Sequence, residues 1–401
     1  MKKHIALLSF MCFCFAFSSC KQNKIGLEKS LDKSIALSIN YIKENTLQDG
    51  RFVYRRHANP DIEYANTKYN VLRHAGTLYS MYLCERVLQD STLREERLRA
   101  SDYLVENYVQ QIDSARYSVV SKGEEEGEKN DSTAKLGAAG LSLIALSNLY
   151  PEGKVDLKLL RGLGNFIIYL QDQDGNFAAN YSLKTHSIDN SFYSLYYPGE
   201  AALGLLYLYE FDPQPQWLDA AKKALLYLSD SRKDKGSNVE FDHWALLATR
   251  KLFETPTNGL TPTEKSFLQK HAEQIANSVL SKKLRGENDP YYGALESNIR
   301  PCSIGTIMEG LVAVYYITEN EELKLKVYDR LEKGTSFLSH SQIKTGEMAG
   351  GLPTSADWTL PKSKKNAGVI RIDNVQHVLS AWITFCNLKK NTYFCNQLDR
   401  M

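Results

Sequence analysis

Six times along this chain a polar or charged cluster opens an apolar helix, and that rhythm constrains the fold more than any other feature. The clusters begin at Leu72, Lys135, Tyr196, Phe241, Asn298 and Arg371. Each leads into a run poor in charge and rich in Leu, Ala and Tyr, such as Ala201 to Tyr209. A helix that is apolar nearly all round is buried on all sides. Six buried helices with polar first turns imply a ring whose helix starts surround one shared pocket.

Between the clusters lie six segments of a different texture. They run over Leu27–Asn45, Leu93–Gln111, Leu157–Leu170, Gln216–Leu228, Pro262–Leu280 and Glu321–Leu338. In each, apolar residues recur at i, i+3, i+4 and i+7 with Lys, Glu and Asp between them, the pattern of a helix with one wet face. The alternation predicts an inner ring of six helices wrapped by an outer ring of six. Buried helices pass to the next exposed one by short links such as Glu210 to Pro215. Exposed helices pass to the next buried one by longer, Gly-rich links, including Gln48 to Tyr54 onward, Gln173 to Phe177 onward, and Gly346 to Val369. In antiparallel hairpins all links of one kind share a face, so the long loops gather where the buried helices begin, the usual place for binding residues. Short strand pairs are expected there, because Gly50–Arg55 alternates and Arg116–Val120 is β-rich. The charged insertion Glu124–Asp131 is expected at a loop tip.

This pattern, together with the Gln48-Asp-Gly-Arg-Phe52 and Gln171-Asp-Gln-Asp-Gly-Asn-Phe177 turns, resembles the all-α (α/α)6 toroid of six helical hairpins, the six-hairpin glycosidase-like fold. The resemblance covers nearly all of the chain after its first residues. It implies kinship in fold with glycoside hydrolases, N-acylglucosamine 2-epimerases and the C-terminal domains of glucuronyl C5-epimerases. Terpene cyclases and prenyltransferases share a related toroid, but the Asp-x-Asp-Asp motif of the former is missing here. Only Cys302 could supply the thiolate that a zinc prenyltransferase needs, and a lanthionine cyclase's Cys-His metal pairing is missing too. From toroid to carbohydrate the step is analogy, since fold alone does not give function.

The N-terminus reads as an address. Lys2-Lys3 precedes an apolar stretch, Ile5 to Phe17, which falls short of the ~20 residues a spanning helix needs. Phe17-Ser-Ser-Cys20 resembles a bacterial lipobox, so residues 1–19 are expected to leave as a signal peptide and Cys20 to carry lipid. A tether over 20–26 then leads to one toroid domain over 27–401. Lys21 after the cysteine points to an exported protein anchored to the outer membrane and facing the periplasm. A net charge of +2 gives no electrostatic footprint for nucleic acid. The later cysteines are Cys84, Cys302, Cys386 and Cys395. The last two are close enough in sequence to pair across a C-terminal turn, and no CxxC motif occurs.

The residues that can carry chemistry sit at the cluster heads. Glu200 follows Tyr196-Tyr197-Pro198-Gly199; proline suits a first helical turn, so Glu200 points toward the ring's mouth as a general acid or base, or as a carboxylate steadied by the helix dipole. Asp242-His243-Trp244 opens the fourth buried helix. Asp242 reads as a general base or plainly as an N-cap, His243 as a proton shuttle, and Trp244 as a flat face for a sugar ring. Arg73, Arg300 and Arg371 at helix starts oppose the dipole and call for an anion, either a protein carboxylate or an acidic ligand. His74 accompanies Arg73, Glu309 lies two turns beyond Arg300, and His377 lies one turn on from Asp373 on the same face.

Two reactions compete. Glu200, Asp242 and Asp373 supply the paired carboxylates of glycoside hydrolysis, the leading reading, with a preference for acidic sugars. Alternatively, His74, His243 and His377 supply the proton-transfer groups of an epimerase, or the base of a uronate lyase. Tyr196, Tyr197, Trp244, Arg73, His74, Arg300, Glu309 and Arg371 are expected to hold the carbohydrate. A metal set of Asp242, His243, Asp373 and His377 was weighed, and no metal or cofactor is expected. The third alternative is a lipoprotein that only binds glycan or serves assembly.

Overall fold

The computed structural model describes residues 30–62, 68–122, 132–360 and 365–398. The signal segment, the tether, Cys20 and the 124–131 insertion lie outside the described residues.

Twelve helices alternate between two layers. The first, α1, covers 30–44. It is followed by α2 (Val71–Leu83), α3 (Arg94–Tyr108), α4 (Leu136–Ser147), α5 (Leu157–Tyr169), α6 (Tyr197–Phe211) and α7 (Pro215–Arg232). Then come α8 (His243–Glu254), α9 (Pro262–Leu280), α10 (Pro301–Ile317), α11 (Glu321–Ser341) and α12 (Ile372–Leu398). Each even-numbered helix packs on the next even-numbered one, and α12 packs back on α2, which closes the inner ring. The odd-numbered helices lie outside. Sequence texture explains the split: every residue of α4 is buried, whereas α11 buries a stripe that includes Leu323, Val327, Leu331 and Leu338. The (α/α)6 toroid is therefore the observed fold, with helix starts within a few residues of those the periodicity predicts.

Local signals fix where helices begin. Thr261 and Glu264 form a reciprocal capping box at the start of α9, with Pro262 in the first turn. Asn70 caps α2 and Asp242 caps α8 through their side chains. The ring closes on its outer layer as well. Gln342, just past α11, donates from Nε2 to the Ser34 carbonyl and the Ser38 hydroxyl of α1, both at 2.9 Å.

The long loops gather on one face and carry all the named strands. A five-stranded antiparallel sheet joins Val109–Gln111, Tyr117–Ser121, Thr133–Lys135, Asn180–Ser182 and Ser187–Asp189 in chain order. A separate pair links Arg55–His57 to Val369–Arg371. The expected strand over Gly50–Arg55 reduces to a single bridge at Phe52 and the first residue of that pair. Within the two Gln-Asp-Gly turns, at 48–50 and 173–175, Gly50 and Gly175 hold φ of 86° and 103°, a region other residues avoid.

Cys386 and Cys395 do not flank a turn. Both lie on the continuous helix α12, roughly 13 Å apart along its axis. Among the described residues no helix is long and apolar enough to cross a membrane.

Candidate active site

A cavity of about 390 Å³ opens where the inner helices begin, and all six contribute to its wall. Arg73 comes from α2, Leu141 from α4, Tyr197 and Glu200 from α6, His243 and Trp244 from α8. Cys302 and Thr306 come from α10, Asp373 and His377 from α12.

Two imidazoles face each other across it. The rings of His243 and His377 stand 5.4 Å apart, edge to face, and Trp244 packs 4.9 Å from His243. Their protonation preferences diverge. Burial, reinforced by the charge of His377, holds His243 well below the ordinary histidine range, so it is a neutral base near pH 7. Burial also works against charge on His377, but the Glu309 carboxylate overcomes it and raises that histidine's pKa. Glu309 Oε2 accepts from His377 Nδ1 at 2.8 Å and lies 3.9 Å from His243 Nε2. The two imidazoles are thus biased in opposite directions, His243 toward the neutral form and His377 toward the charged one.

Glu200 is a third unusual group. It is almost wholly buried, its Oε2 has no hydrogen-bond partner, and burial followed by repulsion from Asp242 pushes its pKa up to about 8. Near pH 7 it is mostly a neutral acid able to donate a proton. Gly137 of α4 makes its space: a Cβ there would sit 2.1 Å from Oε2.

The remaining predicted residues divide into those the cavity gathers and those it does not. Asp373 lines it but is gripped by Arg371 through two bonds of 2.9 and 2.8 Å, with Arg73 Nε at 3.3 Å. Burial alone would raise its pKa; the two guanidiniums win and lower it. Arg73 lines the cavity and also bonds the Tyr54 hydroxyl. Tyr196 lies at the rim with its ring 5.4 Å from His243, and Tyr197 lines the wall beside it.

Five expected ligands or catalysts sit off the wall, the first of them Arg371, whose guanidinium is taken up by Asp373. Asp242 is fully buried behind the wall; it caps α8 at Ala245 N and pairs with Arg232 at 2.9 Å, so it serves as the cap and not as a base. His74 faces the outer layer, bonded to Tyr69 Oη at 2.7 Å and to the Ala100 carbonyl at 2.8 Å, and burial lowers its pKa to about 4. Arg300 is exposed at the start of α10, off the cavity wall. Glu309 is buried beneath the two histidines rather than placed to meet substrate, and it orients His377.

Sequence reading missed Cys302, Thr306 and Gln376 in the wall and Arg232 behind it. The spacing of Cys302 and Thr306 on one helical face was the available signal for the first two. The set able to hold a metal also differs from the one weighed. His243, Glu309 and His377 bring one ligand atom each within 4.8 Å of one another, with Glu309 in place of the two aspartates.

No family model matches the chain, and no curated protein matches it in sequence. Solved structures do match in shape. The cellobiose 2-epimerase of Bacillus thermoamylovorans B4167 superposes with a TM-score of 0.65 at 12% identity, covering 90% of this chain and 99% of that one. A GH76 α-mannanase of Bacteroides thetaiotaomicron gives 0.61 at 14% identity over 90% and 97%. An unsaturated glucuronyl hydrolase specific for heparin gives 0.55 at 15% identity over 91% and 98%. At such identities the likeness establishes the toroid and nothing finer.

Proposed function

We propose that this protein is a carbohydrate-active enzyme that moves a proton at the carbon next to a sugar carbonyl, as a 2-epimerase or an aldose–ketose isomerase. The observation that carries the reading is the pair of imidazoles facing each other 5.4 Å apart, one held toward the neutral form by burial and the other drawn toward the charged form by Glu309. His243 removes the proton α to the carbonyl of the open-chain sugar. His377, charged through Glu309, returns a proton to the opposite face, which inverts C2, or to C1, which gives the ketose. Arg73 and the neutral Glu200 face the enediolate oxygens and steady the charge that develops there. Arginines at 73 and 371 oppose the single carboxylate of Asp373, leaving a positive balance that favours a sugar bearing its own carboxylate.

Hydrolysis stands as the second reading, and Glu200 is what favours it. A carboxylic acid kept neutral near pH 7 is what a glycosidic oxygen needs from its general acid. Its partner would be Asp373, and the arginines that stabilise that carboxylate make it a weak base.

Deuterium separates the two. The mature protein is incubated in D2O with aldoses, uronic acids and β-linked disaccharides, and followed by proton NMR. Loss of the C2 proton signal with the glycosidic bond intact supports epimerisation or isomerisation. Bond cleavage with C2 still protonated moves the assignment to a hydrolase, and binding with neither change makes the protein a glycan-binding module. We further propose that Cys20 is lipidated after signal cleavage and tethers the protein to the outer membrane, facing the periplasm. Incorporation of labelled palmitate that vanishes in Cys20→Ser tests this.

A further inference from the structure

We infer that His243, Glu309 and His377 form a binding site for a transition-metal dication of the Zn(II) type, and that the ion blocks proton transfer when it binds. The binding half stands on the three side chains alone; the inhibitory half rests on the reading above.

The donor set is the first reason. Two imidazoles and one carboxylate bind zinc at 2.0–2.2 Å and leave a fourth position open. In a tetrahedron of that size neighbouring ligand atoms stand roughly 3.3 Å apart. The separations already present, 2.8 Å from Glu309 Oε2 to His377 Nδ1 and 3.9 Å from Glu309 Oε2 to His243 Nε2, straddle that value. The two histidine nitrogens lie within 4.8 Å of each other, so a closing movement of at most about 1.5 Å completes the coordination site. The second reason is unmet bonding. His243 Nε2 is buried and has no hydrogen-bond partner. A buried polar atom left unpaired is costly, and a cation supplies the missing partner. The third is access: His243 and His377 line the cavity, so an ion reaches them through its mouth and keeps its open position toward solvent. A bound ion takes up the Nε2 lone pair of His243 and holds His377 in the neutral form, so neither ring can exchange a proton as the proposed reaction requires.

The test is calorimetric titration of the chelator-treated full chain with ZnCl2, alongside visible spectra of the Co(II) form. One equivalent of zinc and the intense bands of four-coordinate cobalt are expected. Trp244, 4.9 Å from His243, supplies a further signal through quenching by Co(II). Glu309→Gln and His377→Asn, each checked by circular dichroism, are expected to weaken binding at least about tenfold. Absence of zinc binding up to millimolar concentrations overturns the site, as does binding that survives in a His243→Gln, His377→Asn double variant. Where deuterium exchange is measurable, zinc should abolish it and EDTA restore it. Exchange that persists with the site filled overturns the inhibitory half and counts against the histidines as the proton carriers. A wild type without exchange leaves the calorimetry to decide the site by itself.

Discussion

The two mouths of the toroid carry a similar inventory of ionisable and aromatic side chains and treat them in opposite ways. Where the inner helices end, a second hollow of about 270 Å³ is walled by Tyr79, Tyr82, Tyr207, Glu210, Arg250 and Lys251. Its Lys251 meets Glu210 at 2.6 Å and its Arg250 meets Glu254 at 2.7 Å, and all four stay partly in water, with 20 to 51% of each side chain exposed. Where the inner helices begin, His243 and Glu309 keep 4% and 2% exposure, and Glu200 is left without an ion-pair partner. Reactivity therefore follows from which charges are taken out of water without full compensation, not from how many a mouth contains.

Four experiments press on that contrast. The largest effect is expected from His377→Ala, which removes one of two proton carriers and should slow C2 deuterium exchange by about 10²–10⁴-fold; the same NMR assay reads it, and an unchanged rate breaks the contrast at its centre. Next is stability. Arg232→Ala strands the fully buried Asp242 and should cost ~3–5 kcal/mol in urea denaturation. Lys251→Ala at the far mouth, partly screened by water, should cost ~0–1 kcal/mol, and comparable losses for the two would erase the distinction.

Third comes pH. Glu309 raises the pKa of His377, so Glu309→Gln should lower it and shift the basic limb of the exchange profile to lower pH. A profile that only drops in height would leave Glu309 a packing residue. The fourth, Glu200→Gln, is read as a change in pH dependence rather than in rate. The wild-type carboxyl titrates near 8 when folded against an ordinary value of 4.5, so the folded state binds the proton more tightly. The stability this brings is whole below about pH 4.5, declines as pH rises, and is gone above about 8. Denaturation midpoints of the variant should lack that decline, and parallel curves for the two proteins would refute the shift.

The scaffold was legible because it rests on local pattern. Helix period, capping residues such as Thr261 and Asp242, and link lengths are written in neighbouring residues. The site was legible only to the depth of the first helical turn. Adjacent residues on a helix point about 100° apart, and packing alone decides whether both reach the cavity, as His243 and Trp244 do, or only one, as with Arg73 and the outward-turned His74. Asp242 looked reactive because its partner, Arg232, sits at the end of α7, and nothing in sequence ties that helix end to this cap. Glu309 was found but misplaced. It lies two turns into α10, and the axial stagger between α10 and α12 that brings it under His377 is a property of the assembled ring.

Direction along α1 has a geometric consequence. An outer helix of this fold ends at the long-loop face, so α1 starts at the opposite one, beside the short links. Whatever precedes residue 30 therefore joins the molecule at its base. A support that grips the molecule at residue 30 itself would leave the open mouth turned away, toward whatever diffuses past.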